Sequence, residues 1–296
     1  MNEITSSVHA SSSSSVRPKY KRVLFRAGGS SSIGMGHVVR SFVLARALLR
    51  VDVEVQVWGS SVRSGRSLAR SFSEVPIRER NNAGGEVDEI PEIQGFQPDL
   101  VIADGYHFGR SFFDGLESIG VDYGVIDDNG ETQAPKPRFL INQNPSAPHE
   151  EYMQRFPESK LFLGLEYALI RQEVVDSFES VSAVPNSILV SFGGSDVQGL
   201  TRAVTEHLQA LGAQLHVVLG PQAVAIDEPT GPILGQCRLF APQDFPLALA
   251  RSQICVLAAG SSLWESNAGA RKTLAAVTAD NQVLPALEAE KNGVAG

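Results

Sequence analysis

Little in this 296-residue chain invites disulfide, metal or membrane chemistry. Cysteine occurs only twice, at Cys237 and Cys255. Both stand in apolar or strand-like surroundings, which suits small core residues better than a disulfide or a metal site. No apolar run reaches the ~18 residues a membrane span needs, and no charged segment precedes an apolar one as in a secretory signal. A cytoplasmic protein is expected. Lysine is scarce, because 19 of the 25 basic residues are arginine. That bias suits bidentate recognition of carboxylate or phosphate, but a GC-rich genome gives the same bias and is the preferred reading. With 33 acidic residues the formal charge is −8, which disfavours a broad nucleic-acid-binding face.

What is present describes a globular α/β protein. Hydrophobic residues make up 43% of the chain, with 14 Phe and two Trp, enough to fill sizeable cores. At roughly 100–200 residues per domain, the length suits two domains or one large one. Residues 1–17 contain Ser6, Ser7 and the run Ser11 to Ser15 without apolar periodicity, and are expected to form a disordered tail.

Order is expected from about Tyr20. Val23, Leu24 and Phe25 read as a strand, followed by a glycine-rich loop and a helix from His37, whose Val38, Phe42, Ala45 and Leu49 share one face. Val53, Val55 and Val57 alternate as a second strand. The segments 99–104, 124–128 and 139–142 are apolar strands with polar residues at their carboxyl ends. Such strands, separated by helix-length stretches, indicate an open parallel sheet with helices on both faces. After a linker at 182–186 the pattern restarts: strand 187–192, helix 201–211, strand 214–219, a short strand 237–240, then strand 254–259 meeting another helix. Two similar α/β domains facing a cleft are expected, at 18–182 and 183–296, with ligands outside the carboxyl ends of the strands.

The loop from Gly28 to His37 carries the sharpest signal. Glycines allow backbone amides close to a ligand, and a helix N-terminus favours anions. It is no Walker loop, and Val39 stands where a dinucleotide fingerprint needs its third glycine. What remains is a histidine at a helix start. The positive helix end favours its neutral imidazole, which is available as a base. Gly260, Ser261, Ser262 and Leu263 enter a second helix and form a candidate diphosphate site. Glu265, one turn on, is placed to accept ribose hydroxyls. Gly193 and Gly194 either line the cleft or make a plain turn.

Adjacent Asp127 and Asp128 point to opposite faces, so at most one faces a site, and structural roles are expected for both. His107 reads as an exposed loop residue. His149, His207 and His216 lack metal-ligand spacing, and no metal or cofactor is implied. No G-x-S-x-G elbow appears.

Together these segments resemble the UDP-sugar hydrolases of pseudaminic acid biosynthesis, which act on UDP-2,4-diacetamido-2,4,6-trideoxy-β-L-altropyranose, and their spore-coat polysaccharide relatives. The matching stretches are 32–40 (around Gly34, Gly36 and His37), Asp104 to Tyr106, Ile126 to Asp128, Asn142 to Asn144, Gly164 to Arg171, Ser191 to Asp196, Ala259 to Glu265, and Asn281 with Gln282. They fall in family order. The resemblance implies a glycosyltransferase-B-like fold of two Rossmann-type domains, with the nucleotide held mainly by the second. It implies metal-independent, inverting hydrolysis of a UDP-linked deoxy-diamino sugar, releasing UDP and free sugar. His37 would be the general base, Tyr106 and Asn281 would position sugar or water, and Gly260 to Leu263 would hold the diphosphate. Glu265 would hold the ribose, with Gly34, Gly36, Gly193, Gly194 and Gln282 lining the substrate site. The alternatives on the same fold are a glycosyltransferase and a non-catalytic nucleotide-sugar binding protein. Two departures stand out. Glycine at Gly28 replaces an aspartate usual after the first strand, and the chain stops soon after Gln282, where many relatives continue through further helices.

Overall fold

The computed structural model describes residues 18–28, 35–80, 86–194, 196, 198–220 and 237–296. The serine-rich segment 1–17 and Gly34 lie outside the described residues. From the N-terminal side, β1 (Arg22–Gly28), α1 (Gly36–Leu49), β2 (Glu54–Ser60), α2 (Val62–Arg66), β3 (Ile77–Glu79) and α3 (Ile90–Phe96) lead to β4 (Leu100–Asp104). Then come α4 (Arg110–Ser118), β5 (Asp122–Ile126), β6 (Phe139–Asn142), α5 (His149–Arg155) and β7 (Lys160–Leu163). After α6 (Gln172–Ser180) the second series comprises β8 (Ser187–Ser191), α7 (Leu200–Ala210), β9 (Gln214–Val218), β10 (Cys237–Phe240) and α8 (Phe245–Arg251). It ends with β11 (Ile254–Ala258), α9 (Ser261–Ala268), β12 (Lys272–Ala276) and α10 (Val283–Lys291).

The strands form two parallel sheets, in the orders β3-β2-β1-β4-β5-β6-β7 and β10-β9-β8-β11-β12. Each is wound outward from its first strand, so the direction of winding reverses between β1 and β4 and between β8 and β11. In open α/β sheets the ligand crevice opens at that reversal, outside the carboxyl ends of the strands. β1 is buried from Val23 to Ala27 because helices cover both faces. On one face Val38, Phe42 and Ala45 of α1 pack with Phe25 and Phe72, as their spacing predicts. On the other, Phe112, Phe113 and Leu116 of α4 pack with Leu24 and Val101. Each such fully buried side chain contributes roughly 1.5–3 kcal/mol. In the second sheet, Leu200, Val204 and Leu208 of α7 cover Val190, Leu215 and Val217.

Helix α6 packs with the second sheet: Val174 joins the core formed by Leu189, Leu249, Cys255 and Leu257. The expected boundary at 182/183 assigned this helix to the first unit. Its packing puts the crossover earlier, in the segment after β7. No helix among the described residues is long and apolar enough to cross a membrane.

Candidate functional site

A cleft of about 210 Å³ opens where the two winding reversals face each other, bordered by helix and loop residues of the first lobe and by residues of the second. Two helix N-termini meet there. Among the described residues neither has a side-chain cap: α1 begins at Gly36 after Met35, and α9 begins at Ser261 after Gly260. The first amides of a helix have no intrahelical acceptor, and the macrodipole makes them attractive to anions. A Cβ placed on Gly36 would stand 3.7 Å from Ser261 Oγ, so the two termini nearly touch across the cleft. The lobes approach as closely at Gly194, where a Cβ would lie only 2.4 Å from Met35 Cγ. Gly193, at φ +83°, adopts a backbone that favours glycine. Both glycines therefore border the cleft as well as making the turn after β8.

His37 is 3% exposed and held by a buried charge cluster. Its Nδ1 lies 2.6 Å from Asp104 Oδ1. Arg40, one turn along α1, donates Nε to Asp104 Oδ2 (2.8 Å) and Nη2 to Oδ1 (2.5 Å). Its Nη1 donates to Asp128 Oδ2 at 2.9 Å, while Ser41 Oγ donates to Asp104 Oδ2 at 3.2 Å. Arg40 Nη2 also lies 2.8 Å from His37 Nδ1. Two contacts bear on the tautomer: Asp104 Oδ1 calls for a hydrogen on Nδ1, whereas Arg40 Nη2 would donate to a bare Nδ1. Arg40 already donates to Asp104 and Asp128, and a bare lone pair 2.6 Å from a carboxylate oxygen is repulsive, so we assign the hydrogen to Nδ1, donating to Asp104. Nε2 then keeps its lone pair, and it is buried without a partner among the described residues. Burial opposes ionisation of Asp104, but Arg40 and His37 outweigh it and hold the carboxyl below the usual carboxylate range. Burial likewise opposes ionisation of Asp128, and Arg40 again prevails, holding it low. Burial works against the Arg40 charge, but the two aspartates push its pKa higher still.

The Tyr106 ring stands edge-on to His37, with centroids 4.7 Å apart. Burial, and then the Asp128 charge, push its hydroxyl above the usual phenol range. Asn281 Nδ2 donates to this hydroxyl at 2.9 Å, so residues expected to share a role join the two lobes directly. Gln282 Oε1 accepts from the Thr278 amide (2.9 Å) and hydroxyl (3.0 Å), and Gln282 Nε2 lies 3.8 Å from where a Gly260 Cβ would stand. Glu265 is buried beneath α9 and both its oxygens hold Arg171, Oε1 from Nε at 2.7 Å and Oε2 from Nη2 at 2.6 Å. Arg171 Nη1 also donates to Leu68 O in the first lobe, at 3.2 Å.

Several expectations change. Leu263 is not available for the diphosphate: its side chain lies in the core with Ala259 and Trp264, and its amide donates to Gly260 O at 3.0 Å. The Gly260 amide is spent on Ala258 O at 2.8 Å, so the free donors of this turn are the Ser261 and Ser262 amides. Asp127 is structural as expected, accepting from Tyr152 Oη and from the amides of Asn129, Gly130 and Thr132. Asp128 is not, since it borders the cleft and pairs with Arg40. His107 is half-buried over β1 instead of exposed: a Cβ on Gly28 would lie 2.8 Å from its Cε1. Sequence reasoning missed roles for Asp104, Arg40 and Arg171. The signals were there, since Arg40 shares the helix face of His37 at three-residue spacing and Asp104 is a charge ending a fully apolar strand. Among the described residues no group of three or more His, Cys, Asp or Glu is placed to hold a metal ion.

No protein-family model matches the chain. It is 26% identical over 191 residues to UDP-2,4-diacetamido-2,4,6-trideoxy-β-L-altropyranose hydrolase of Campylobacter jejuni, covering 63% of this chain and 65% of that protein. It is 25% identical over 209 residues to an uncharacterised protein of Methanocaldococcus jannaschii, covering 68% of this chain and 43% of that protein. The chain thus spans under two thirds of the length of both curated relatives. It is a distant homologue of the hydrolase. Among solved structures it is similar to Acinetobacter baumannii MurG (15% identical, 93% of this chain and 85% of that one, TM-score 0.56). It is also similar to S. aureus MnaA, solved with UDP (14%, 92% and 87%, TM-score 0.54), and to the glycotransferase of kitacinnamycin (13%, 94% and 86%, TM-score 0.61). The fold is glycosyltransferase-B-like.

Proposed function

We propose that the chain hydrolyses a UDP-linked deoxy-diamino sugar, with inversion and without a metal, releasing UDP and the free sugar. One observation carries this reading: a buried histidine, oriented by Asp104 through Nδ1, keeps an Nε2 without a partner among the described residues, beside a cleft where two helix N-termini, uncapped among those residues, meet. Nε2 takes a proton from water as its oxygen attacks the anomeric carbon. The bond from that carbon to the diphosphate breaks, and the departing charge is met by the amides of Ser261 and Ser262 and the positive end of α9. Tyr106 and Asn281 position sugar or water at the junction of the lobes. Gly36, Gly193, Gly194, Gly260 and Gln282 border the substrate, and Glu265 accepts from the ribose with the lone pairs that Arg171 leaves free. A base positioned this way contributes roughly 10²–10⁴-fold, so the leaving-group site must supply much of the remainder.

Purified protein incubated with UDP-sugars alone is expected to release UDP. Release only with an added acceptor would indicate a glycosyltransferase, and binding without turnover a nucleotide-sugar binding protein. His37→Ala is expected to abolish turnover while UDP affinity changes by less than about threefold, since the amides remain. Near-normal turnover in that variant removes His37 from the mechanism.

A further inference from the structure

Two buried acceptors at this site have no donor in hydrogen-bonding geometry among the described residues. Nε2 of His37 is one. The other is Asp128 Oδ1: its partner oxygen Oδ2 is taken by Arg40, and the Tyr106 hydroxyl, which interacts with this carboxylate, makes no hydrogen bond of good geometry to Oδ1. Both side chains border the cleft and also a second, more enclosed pocket of about 270 Å³ beside Tyr106, at the carboxyl ends of β4 and β5. The Asp128 side chain is 17% exposed, and Arg40 keeps it ionised, so Oδ1 is an acceptor only. Leaving one buried polar atom unsatisfied costs roughly 1–3 kcal/mol. Two such acceptors beside one cavity call for a species with two donors. Water has two O–H groups, whereas an acceptor alcohol has one.

We propose that Asp128 is the second acceptor for the attacking water, and that together with His37 it selects water over an alcohol. This rests on the hydrolase reading above. One O–H of the water points to His37 Nε2, which takes that proton as the oxygen bonds to the anomeric carbon. The other O–H stays donated to Asp128 Oδ1 and remains on the product hydroxyl. The electron pair of the breaking carbon–oxygen bond leaves with UDP, and the imidazolium later releases its proton to solvent. Asp128 thus places the oxygen lone pair and exchanges no proton.

Asp128→Asn separates this role from mere support of Arg40. The amide oxygen remains for Arg40, so Nδ2, a donor, faces the water and competes for the lone pair that must attack. With UDP-2,4-diacetamido-2,4,6-trideoxy-β-L-altropyranose as substrate, kcat is expected to fall about 10²-fold, the scale of a misplaced reactant. KM and UDP affinity should stay within about threefold, because the diphosphate amides are untouched. In water–methanol mixtures the ratio of methyl glycoside to free sugar should rise in the variant, a change that loss of structure alone would not produce. A kcat within threefold of wild type, or an unchanged product ratio, overturns the proposal while leaving the hydrolase reading intact. If the Asn variant does not bind UDP, the ratio is read in Asp128→Ala, and constancy there overturns it equally. Wild-type protein that releases UDP only when an acceptor alcohol is supplied overturns both.

Discussion

Asp104→Asn is the most informative single change, because it preserves shape and alters only where a proton sits. In the native site Asp104 accepts from His37 Nδ1, two Arg40 nitrogens and Ser41. Asparagine can give its oxygen to Arg40, but its amide N–H then faces His37 Nδ1. That nitrogen becomes the acceptor, the ring hydrogen moves to Nε2, and the lone pair toward the cleft is lost. Since a positioned base contributes roughly 10²–10⁴-fold, kcat should fall by that factor, about 3–5 kcal/mol of barrier. Arg40 also loses half its buried counter-charge, and charge-assisted hydrogen bonds of this kind are worth roughly 1.5–3 kcal/mol, so some stability should go with it. UDP release at saturating substrate gives kcat, and calorimetry with UDP checks that the fold and the second lobe are intact. Because Asp104 acts through His37, adding Asp104→Asn to His37→Ala should cost little more than His37→Ala alone. A folded, UDP-binding Asn variant with kcat within about threefold of wild type, or fully additive losses, would refute the assignment.

Glu265→Gln should weaken UDP about tenfold (1.4 kcal/mol) yet leave inorganic pyrophosphate affinity unchanged, because only UDP carries a ribose; unaltered UDP affinity by calorimetry rejects the ribose contact. Arg171→Ala and Glu265→Gln should each lower the melting temperature, since each leaves a buried charge without its partner, a loss of roughly 3–5 kcal/mol for such pairs; an unchanged melting temperature in either variant counts against the pair as a tie between lobes. Asp104 is held below its unfolded value, so its contribution to stability is complete above about pH 3.9 and is lost as pH falls through the depressed folded value. The stability gap between wild type and Asp104→Asn, read by chemical denaturation, should therefore be flat from neutrality to about pH 4 and narrow only below it; a gap that closes near neutrality contradicts this.

The sheet architecture was largely legible because buried parallel strands announce themselves as apolar runs with polar ends: 99–104, 124–128, 187–192 and 254–259 all became strands. β3 and β7 escaped notice because they are edge strands, short and only partly buried. The crossover was misplaced because a run such as Ser182 to Asn186 looks like a linker whether or not a domain boundary runs through it. The site was legible where backbone does the work, at the glycine turns and helix starts. It was not legible where charges from distant segments converge. Asp104 lies 67 residues from His37, and Glu265 lies 94 from Arg171, so only the winding of both sheets brings them together. Asp128 was misread for a related reason: strand alternation says that one of two adjacent carboxylates faces the cleft, but not which.

The glycine at position 28, where the resemblance to the hydrolases leads to the expectation of an aspartate, is accommodated by the same convergence. Gly28 ends β1 beside β4, where Ala27 lies opposite Asp104. The His107 ring covers this strand end, and a Cβ at either Gly28 or Gly105 would come within 2.8 Å of His107 Cε1. A side chain at 28 and the imidazole at 107 therefore exclude each other in these positions. Nor does the glycine strip His37 of a carboxylate, because Asp104 already holds Nδ1, and Asp128 supplies a second negative charge through Arg40. A third acid at this strand end would add to a cluster in which one buried guanidinium balances two carboxylates, at a cost in desolvation with no further cation to offset it in the described contacts of Arg40. The departure at 28 thus changes what covers the end of β1, an imidazole in place of an acid, while the groups that orient the base stand on β4 and α1.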